Sequence, residues 1–278
     1  ADAPWPMQGY DAGRTNHRAD GSPPRGDLAV AWRTELRGHG PPVASPVAYA
    51  DRVLVPDRGV TAVDRADGTV AFHVDAPDAG LALAAASGYR TPTLVAGDDQ
   101  VVAGLDATGG VDTGVGERVA TRWRLGEDDT DVISGLFDDS TVGTTPLAAG
   151  GRVVHGAPDG SIVARDASSG RRQWRFAVSF GIDGFAVGEH VYVAEYAGSV
   201  HAVDPVDGRV DWTHGENGAW SGVATADGDV FVTDGRGVTA LDASGGERRW
   251  LSDDGDETEI RVDASVPTVV DDRVLLAG

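Results

Sequence analysis

The chain has 278 residues, with 44 acidic against 23 basic residues, a formal net charge of −21 and no cysteine. The missing cysteine excludes a disulfide framework, a thiolate metal site and a cysteine nucleophile, and the missing basic stripe disfavours binding to nucleic acid. All the basic residues are arginine, and we interpret the acidity as a halophile's adaptation to screening salt rather than as an acidic docking surface.

The N-terminal part of the chain predicts little regular structure. Residues 1–25 are rich in Pro, Gly and Asp and show no periodicity, which indicates an irregular segment. Residues 26–36 alternate around Trp32 and predict a strand. No apolar run approaches the roughly 20 residues of a membrane span, and Ala1 is not followed by a charged and then apolar leader. We therefore expect no transmembrane segment in this chain.

From residue 45 onward the chain divides into units of four short strands. Residues 45–74 predict strands separated by turn signals at 50–51, 57–59 and 66–68. The second unit, 91–125, is the most irregular copy, and the 75–90 stretch before it is interpreted as a long connection. Three regular units follow, closing at Trp174, Trp212 and Trp250, and a sixth contributes two strands before Gly278.

Four of these units share an Asp, a Gly four residues later and an aromatic residue four residues after that. In the last three regular units the motif recurs every 38 residues. We interpret the Asp and Gly as turn residues rather than as catalytic or metal-binding groups, and the aromatic residue as a cover between neighbouring sheets. The four copies are Asp64, Gly68 and Phe72; Asp166, Gly170 and Trp174; Asp204, Gly208 and Trp212; and Asp242, Gly246 and Trp250.

Four-stranded units at this spacing predict an all-β chain folded as a β-propeller of antiparallel blades, five complete and a sixth partial. We expect residues 1–278 to form one propeller domain. The SPV-like first strands, the VYV-like second strands, the ALDA-x-x-G-x-x-x-W close and the opening WPMQGYDAGRT resemble the pyrroloquinoline-quinone-like (PQQ-like) repeat family, in its BamB-like branch. The resemblance implies a ring of commonly eight blades docked through tryptophans, so that the natural ring would have seven or eight.

The same family includes quinoprotein dehydrogenases and a scaffold lipoprotein of the outer-membrane assembly machinery. The dehydrogenases are about twice as long, stack their quinone on a vicinal Cys pair and hold Ca²⁺ beside a catalytic Asp. This chain has no cysteine, and Asp183 is its only conceivable counterpart of that carboxylate. We expect neither PQQ nor Ca²⁺ as a cofactor, no catalytic residues and no metal site.

Other metal or catalytic patterns are weak. The acidic runs at 126–131 and 252–259 lack the spacing of a Ca²⁺-binding loop, and we interpret them as solvated loops. The seven histidines lack metal-ligand spacing, and no Ser, His and Asp grouping is evident. They are His17, His39, His73, His155, His190, His201 and His214.

The connections from the fourth strand of one blade to the first strand of the next meet around one mouth of the central channel. Loops carry function more often than scaffolds do, and aromatic residues and arginine are typical interface anchors. The predicted connections are residues 33–44, 75–90, 126–143, 176–183, 214–220 and 252–264. The candidate binding mouth consists of Arg37, His39, Tyr89, Arg90, Phe137, Phe180, Asp183, Trp220 and Arg261. For Trp220, plugging the channel is as good an interpretation as binding a partner.

Two functional hypotheses follow. The first is a noncatalytic, extracytoplasmic protein-interaction scaffold, secreted or anchored to the cell surface, with an unidentified protein partner. The second is a propeller that binds a small ligand, metal or quinone at the channel mouth, as an enzyme or otherwise. Ring closure is a separate expectation: residues 26–36 would provide the outer strand of the last blade, and a third strand is missing between them and the final pair. We therefore predict that the natural chain continues past Gly278.

Overall fold

The computed structural model describes residues 5–18, 21, 26–37, 44–98, 101–112, 117–125, 145–157, 159–179, 181–215, 220, 222–234, 237–253, 266–270 and 273–276. Within these residues the chain forms five four-stranded antiparallel sheets and one two-stranded sheet. The predicted all-β fold, with five complete blades and a partial sixth, is confirmed. No helix in the described part is long and apolar enough to cross a membrane.

The strands follow one another in each sheet from the channel outward. Blade 1 contains β1 (Val47–Tyr49), β2 (Arg52–Pro56), β3 (Val60–Asp64) and β4 (Val70–Val74). Blade 2 contains β5 (Gly80–Ala84), β6 (Thr93–Gly97), β7 (Val102–Asp112) and β8 (Glu117–Leu125). Blade 3 contains β9 (Leu147–Ala149), β10 (Arg152–Gly156), β11 (Ile162–Asp166) and β12 (Arg172–Phe176).

The remaining blades repeat this order. Blade 4 contains β13 (Ile182–Val187), β14 (Val191–Glu195), β15 (Ser199–Val203) and β16 (Val210–Gly215). Blade 5 contains β17 (Gly222–Ala226), β18 (Asp229–Thr233), β19 (Gly237–Asp242) and β20 (Arg248–Asp253). The final pair is β21 (Thr268–Val270) and β22 (Arg273–Leu275). Each inner strand packs beside the inner strand of the next blade, from β1 through β5, β9, β13 and β17 to β21.

Tryptophan side chains join blades 2, 3 and 4 to the next blade at the Asp–Gly hairpins, and Trp32 contacts the hairpin of blade 1. The Nε1 of Trp174 donates to the Pro205 carbonyl at 2.8 Å, and its ring lies under Gly208, where an added Cβ would come within 2.9 Å of the tryptophan. Three further tryptophans make the same pair of contacts with the next hairpin: Trp32 with Arg65 and Gly68, Trp123 with Ala167 and Gly170, and Trp212 with Ala243 and Gly246. The predicted covering role is therefore observed for Trp174 and Trp212. Phe72 is buried in the core cluster that blades 1 and 2 share, whereas Trp250 is 41% exposed and covers no described hairpin.

The repeated aspartates act as turn residues, as their spacing predicts. The Asp204 carboxylate accepts the backbone N–H of Val206 at 2.6 Å, while its carbonyl accepts the N–H of Gly208, whose φ is +77°. Asp64, Asp166 and Asp242 make the equivalent bonds. Backbone hydrogen bonds from Val206 and Asp207 lower the pKa of Asp204. A lowered pKa means that the ionised carboxylate is the form that stabilises the turn.

The structure corrects the interpretation of residues 75–90. The prediction treated this stretch as a connection, but Gly80–Ala84 is the inner strand of blade 2 and all five of its residues are buried. Its composition of Gly, Ala and Leu lacks the β-branched residues that mark strands. The strand is specified by tertiary packing instead, because Gly80 lies where an added Cβ would meet Thr145 of blade 3 at 2.5 Å.

Residues 27–36 form no strand with the described part of the chain. The strand predicted for 26–36 is thus not present there, because β22 pairs only with β21 and no described strand reaches this segment. Trp32 nevertheless contacts the blade 1 hairpin as the other tryptophans contact theirs. The closure of the last blade by this segment stays a prediction.

The N-terminal residues 5–16, which we call the channel segment, run along the inner strands of successive blades. Their backbone bonds reach Ala48, Leu83, Val187, Thr225 and Val269 in chain order, over distances of 2.7 to 3.0 Å. The side chain of Gln8 accepts a bond from Thr145, just before β9. These contacts satisfy N–H and C=O groups on the inner edges of the sheets, which would otherwise lack partners. The irregular structure predicted here is therefore an ordered path around the channel.

We expect Trp174→Ala to destabilise the protein by about 3 to 5 kcal/mol, since the side chain is 6% exposed and its loss leaves a cavity between blades 3 and 4. Trp250→Ala is the matched control, because Trp250 is 41% exposed and contacts no described hairpin. Its cost should stay near 1 kcal/mol. Denaturant unfolding of both variants in the same salt measures the difference, and equal losses would contradict the docking role.

Gly208→Ala and Gly228→Ala separate backbone strain from the docking contact. Both glycines have positive φ, of +77° and +83°, so each alanine pays the strain of about 1 kcal/mol. Only Gly208 lies against a tryptophan, whereas an added Cβ at Gly228 meets nothing within 4 Å. We expect Gly208→Ala to lower the free energy of unfolding by a further 1 to 3 kcal/mol, roughly, because the added methyl group overpacks the contact with the tryptophan. Unfolding midpoints that coincide would refute the contact.

Candidate functional site

The propeller has two different ends. At the crossing end lie the blade-to-blade connections, such as residues 75–79 and 177–181, and the turns between second and third strands, such as 57–59 and 196–198. At the hairpin end lie the Asp–Gly hairpins and the turns between first and second strands. The predicted binding mouth belongs to the crossing end, where blade 4 contributes Asp183, Glu195 and His201.

Asp183 lies on the inner strand of blade 4, as an inner-ring carboxylate would. The pairing of β13 with β14 shifts between Ile182 and Gly184, so that Asp183 occupies a β-bulge. Bulges re-aim a side chain out of the regular pleat, and Asp183 is exposed although its neighbours along the strand are buried. Partial burial raises the pKa of Asp183. Asp183 is thus a carboxylate beside the channel that ionises less readily than a free aspartate.

A second acidic group, Glu195, lies beside this strand and is almost completely buried. It pairs across the sheet with Ile182 and accepts the backbone N–H of Ser179 at 2.9 Å. The His201 Nε2 atom is 3.6 Å from its carboxylate, and the other ring nitrogen of His201 is 3.0 Å from the Thr213 hydroxyl. His201 therefore bonds the neighbouring strand β16 and lies close to a buried carboxylate.

The next residue, Tyr196, is the large exposed aromatic side chain of this region, with 64% of its surface accessible. Its backbone is fixed, because the Tyr196 N–H donates to Gly181 and the Gly198 N–H donates to Glu195. An exposed aromatic ring on a fixed turn loses little conformational entropy when a partner covers it. Sequence reasoning missed Tyr196, although its position in a turn after a buried strand was the available signal.

Comparison with known proteins agrees with this architecture. Residues 177–278, which include blade 4, match the family model described as outer membrane protein assembly factor BamB. The crystal structure of BamB from Moraxella catarrhalis superimposes with a TM-score of 0.63 at 17% identity, over 89% of this chain and 72% of that one. The protein is a β-propeller, and its residues 177–278 match the PQQ-like family model. The resemblance inferred from the repeats is confirmed, whereas the halophilic origin stays an expectation.

Dehydrogenase propellers are similar in fold as well. The quinohemoprotein alcohol dehydrogenase from Comamonas testosteroni has a TM-score of 0.64 at 17% identity over 90% of this chain, and a europium-containing methanol dehydrogenase has 0.58 at 14% over 90%. This chain covers 49% and 58% of their respective lengths. At these identities the likeness shows the fold alone. No curated protein matches the chain in sequence.

The described side chains of this propeller do not fit a quinone and Ca²⁺ site. The chain has no cysteine to support the quinone, and the described residues contain no group of three or more His, Asp or Glu side chains that could hold a metal ion. Ca²⁺ requires six to eight oxygen ligands, whereas Asp183 offers one carboxylate on a strand of apolar neighbours. No catalytic step through these cofactors follows from this arrangement.

Two predicted mouth residues lie at the other end of the propeller. Tyr89 and Arg90 follow the inner strand β5 instead of preceding it, so they belong to the hairpin end. The Tyr89 ring stacks on the Arg122 guanidinium at 3.9 Å, and Arg122 also bonds Thr91 and Asp106. The placement at the mouth was wrong because the inner strand of blade 2 was not recognised.

Trp220 is neither an exposed anchor nor a channel plug. It is 3% exposed and belongs to the core cluster shared by blades 4 and 5. Arg37 does lie at the crossing end, where its backbone N–H donates to Asp57 at 2.8 Å. The other predicted mouth residues, His39, Phe137, Phe180 and Arg261, lie outside the described residues, as do the acidic run at 126–131 and most of that at 252–259.

A cavity of about 760 Å³ opens at the hairpin end between blades 4 and 5, beside the channel segment. Its walls include Tyr10 and Asp11 of that segment, His17 just after it, and the turn residues Glu189 and Asp227. Asp11 already accepts two bonds from Thr15, at 3.0 and 2.7 Å, and so fixes the local turn. The cavity lies at the opposite end from the predicted mouth.

His155 is a buried neutral histidine with a structural role. Its Nδ1 atom is 2.8 Å from the Gly156 carbonyl, and its Nε2 accepts the Arg165 Nε–H at 3.1 Å. This arrangement requires the tautomer with the proton on Nδ1. Burial is the main cause that lowers the pKa of His155 to about 4; the charge of Arg165 acts in the same direction, and the bond to Gly156 opposes both.

The pH dependence of stability should reveal this histidine. In the unfolded chain, His155 is protonated below its ordinary pKa of about 6.5. In the folded protein it stays neutral down to about pH 4. Its stabilising effect is therefore complete above pH 6.5 and lost as pH falls, by about 3 kcal/mol in total. His155→Gln, which keeps an acceptor without titrating, should show a flatter profile in denaturant unfolding between pH 4 and 7. Parallel profiles would contradict the assignment.

Proposed function

We propose that this protein is a noncatalytic, extracytoplasmic protein-interaction scaffold that binds its partner at the crossing end of blade 4. The observation that carries the proposal is Tyr196, a 64% exposed aromatic residue on a turn whose backbone is held on both sides. Aromatic residues on rigid supports are enriched among interface anchors. The sequence match to BamB covers the same blade, which supports a scaffold of that kind.

The neighbouring residues complete the proposed surface. Asp183 places an exposed acidic group on the channel side of Tyr196, and Arg37 is exposed at the same end, where its backbone bonds Asp57 of blade 1. The partner surface therefore combines an apolar pocket for the tyrosine with polar or basic groups around it. The proposal needs no PQQ, Ca²⁺ or other cofactor, and it places the protein outside the cytoplasm, secreted or anchored to the cell surface.

A ligand-binding or catalytic propeller is the alternative, favoured by the structural likeness to the quinohemoprotein alcohol dehydrogenase. It predicts a measurable heat when PQQ and Ca²⁺ are titrated into the protein, and loss of that heat in Asp183→Asn. The scaffold proposal predicts no heat from either titrant. Isothermal titration in high salt separates the two functions.

Site-specific photo-cross-linking tests the scaffold directly. A benzophenone amino acid replaces Tyr196 or, as the matched control, Val206, which is 65% exposed on the hairpin end of the same blade. In the cells that produce the protein, we expect one discrete protein adduct from position 196 and none from position 206. With the captured partner purified, Tyr196→Ala should weaken the complex by at least about 30-fold, as for an interface anchor, whereas Val206→Ala should not.

Equal adducts from both positions, or a Tyr196→Ala complex as tight as the unaltered one, would reject the crossing end of blade 4 as the docking surface. Unfolding midpoints of both variants serve as the folding control. Neither substitution removes a hydrogen-bonded side chain of the blade, since Tyr196 and Val206 contribute only backbone N–H groups to the described contacts.

A further inference from the structure

The channel segment carries one arginine, Arg14, whose charge is not neutralised by any of the described residues. Arg14 is half-buried among the inner strands, and the Phe185 carbonyl, 3.4 Å from its Nη1, is its side-chain hydrogen-bond partner. Among the described residues, no carboxylate lies within salt-bridge distance of it. A single long bond to a neutral carbonyl leaves most of its five N–H donors unused. In a chain with 44 acidic residues, an arginine without a described acidic partner is unusual.

The direction of this side chain follows from its backbone contacts. The Val187 N–H donates to Ala12 and the Thr225 N–H to Gly13, which places the segment beside the hairpin-end half of β13 and β17. Phe185 lies two residues nearer to the crossing end on β13, so the Arg14 guanidinium extends from the segment toward that end. Arg14 is also absent from the walls of the hairpin-end cavity, which its neighbours Gly13 and Thr15 line.

The backbone around Arg14 is held in an unfavourable conformation. Tyr10, Arg14 and Asn16 all have positive φ, of 71°, 58° and 55°, a region that costs a residue with a side chain about 1 kcal/mol or more. The Arg14 N–H donates to the Asp11 carbonyl, and the Asp11 carboxylate fixes Thr15. The turn therefore presents the guanidinium inside the channel at an energetic cost, which suggests a function for the exposed donors.

We propose that Arg14 forms a binding site for a small oxyanion, a carboxylate or a phosphate, inside the central channel. The planar guanidinium fork matches two oxygens of either group. On the inner strand β13, the Phe185 carbonyl holds one end of the fork. Because Arg14 is half-buried, a charge-assisted hydrogen bond to it is stronger than one to a fully exposed arginine. Burial lowers the pKa of Arg14, a penalty that a bound anion offsets.

Nuclear magnetic resonance of the intact protein labelled with ¹⁵N-arginine tests this site. Inorganic phosphate and succinate are titrated separately at constant pH and ionic strength, and Arg14→Lys identifies the Arg14 Nε–Hε signal. We expect this signal to shift in a saturable manner with at least one of the two anions. A response to phosphate alone, to succinate alone or to both tells which oxyanion the fork recognises. No saturable shift with either would overturn the proposal.

Affinity measurements with matched variants complete the test. Arg14→Gln should weaken binding of the responding anion by about tenfold or more, because the fork and its charge are both lost. Arg58→Gln is the control, since Arg58 is an exposed arginine at the crossing end with the same kind of positive φ, 48°. Equal weakening in the two variants would mean nonspecific attraction and would reject the site. Because no partner protein is involved, the result is independent of the cross-linking at Tyr196.

Discussion

The contact between a tryptophan ring and the hairpin of the next blade is the constraint on which this propeller depends. A four-stranded blade cannot bury its own faces, so its stability comes from its neighbours. At each junction that has a tryptophan, the ring needs a flat surface and its N–H needs an acceptor. The Asp–Gly hairpin provides both, since Gly208 has no Cβ to obstruct the Trp174 ring and the Pro205 carbonyl accepts its N–H. One side chain thereby sets both the spacing and the register of adjacent blades.

This constraint also explains which parts of the fold could be predicted from the sequence. The Asp, Gly and Trp recur because each has a local and specific task, so Asp204, Gly208 and Trp212 identify their unit without any knowledge of the rest. Gly80–Ala84 has no such marker. Its first residue must be small, because an added Cβ at Gly80 would collide with Thr145. This requirement comes from the packing of blade 2 against blade 3 and cannot be read from the strand's own sequence.

The candidate site was less predictable for a related reason. Burial decides whether a loop aromatic can bind a partner, and neighbouring blades decide burial: Trp220 lies in the core between blades 4 and 5, whereas Tyr196 is exposed. Because the inner strand of blade 2 was not predicted, Tyr89 was assigned to the wrong end of the propeller. The path of the channel segment could not be inferred at all, because its partners are single backbone groups on strands far apart in sequence.

The two ends of the propeller are consequently suited to different tasks. At the hairpin end, the turns contain the repeated aspartates and contact tryptophans of the neighbouring blade. A substitution in these turns therefore weakens the junction between blades. At the crossing end the turns differ from blade to blade, and Tyr196 and Asp183 have no equivalents dictated by the repeat. Side chains that the blade junctions do not require are free to meet a partner. The same division holds in the interior. The backbone of the channel segment makes the hydrogen bonds to the inner strand edges, and the Arg14 side chain is available for binding.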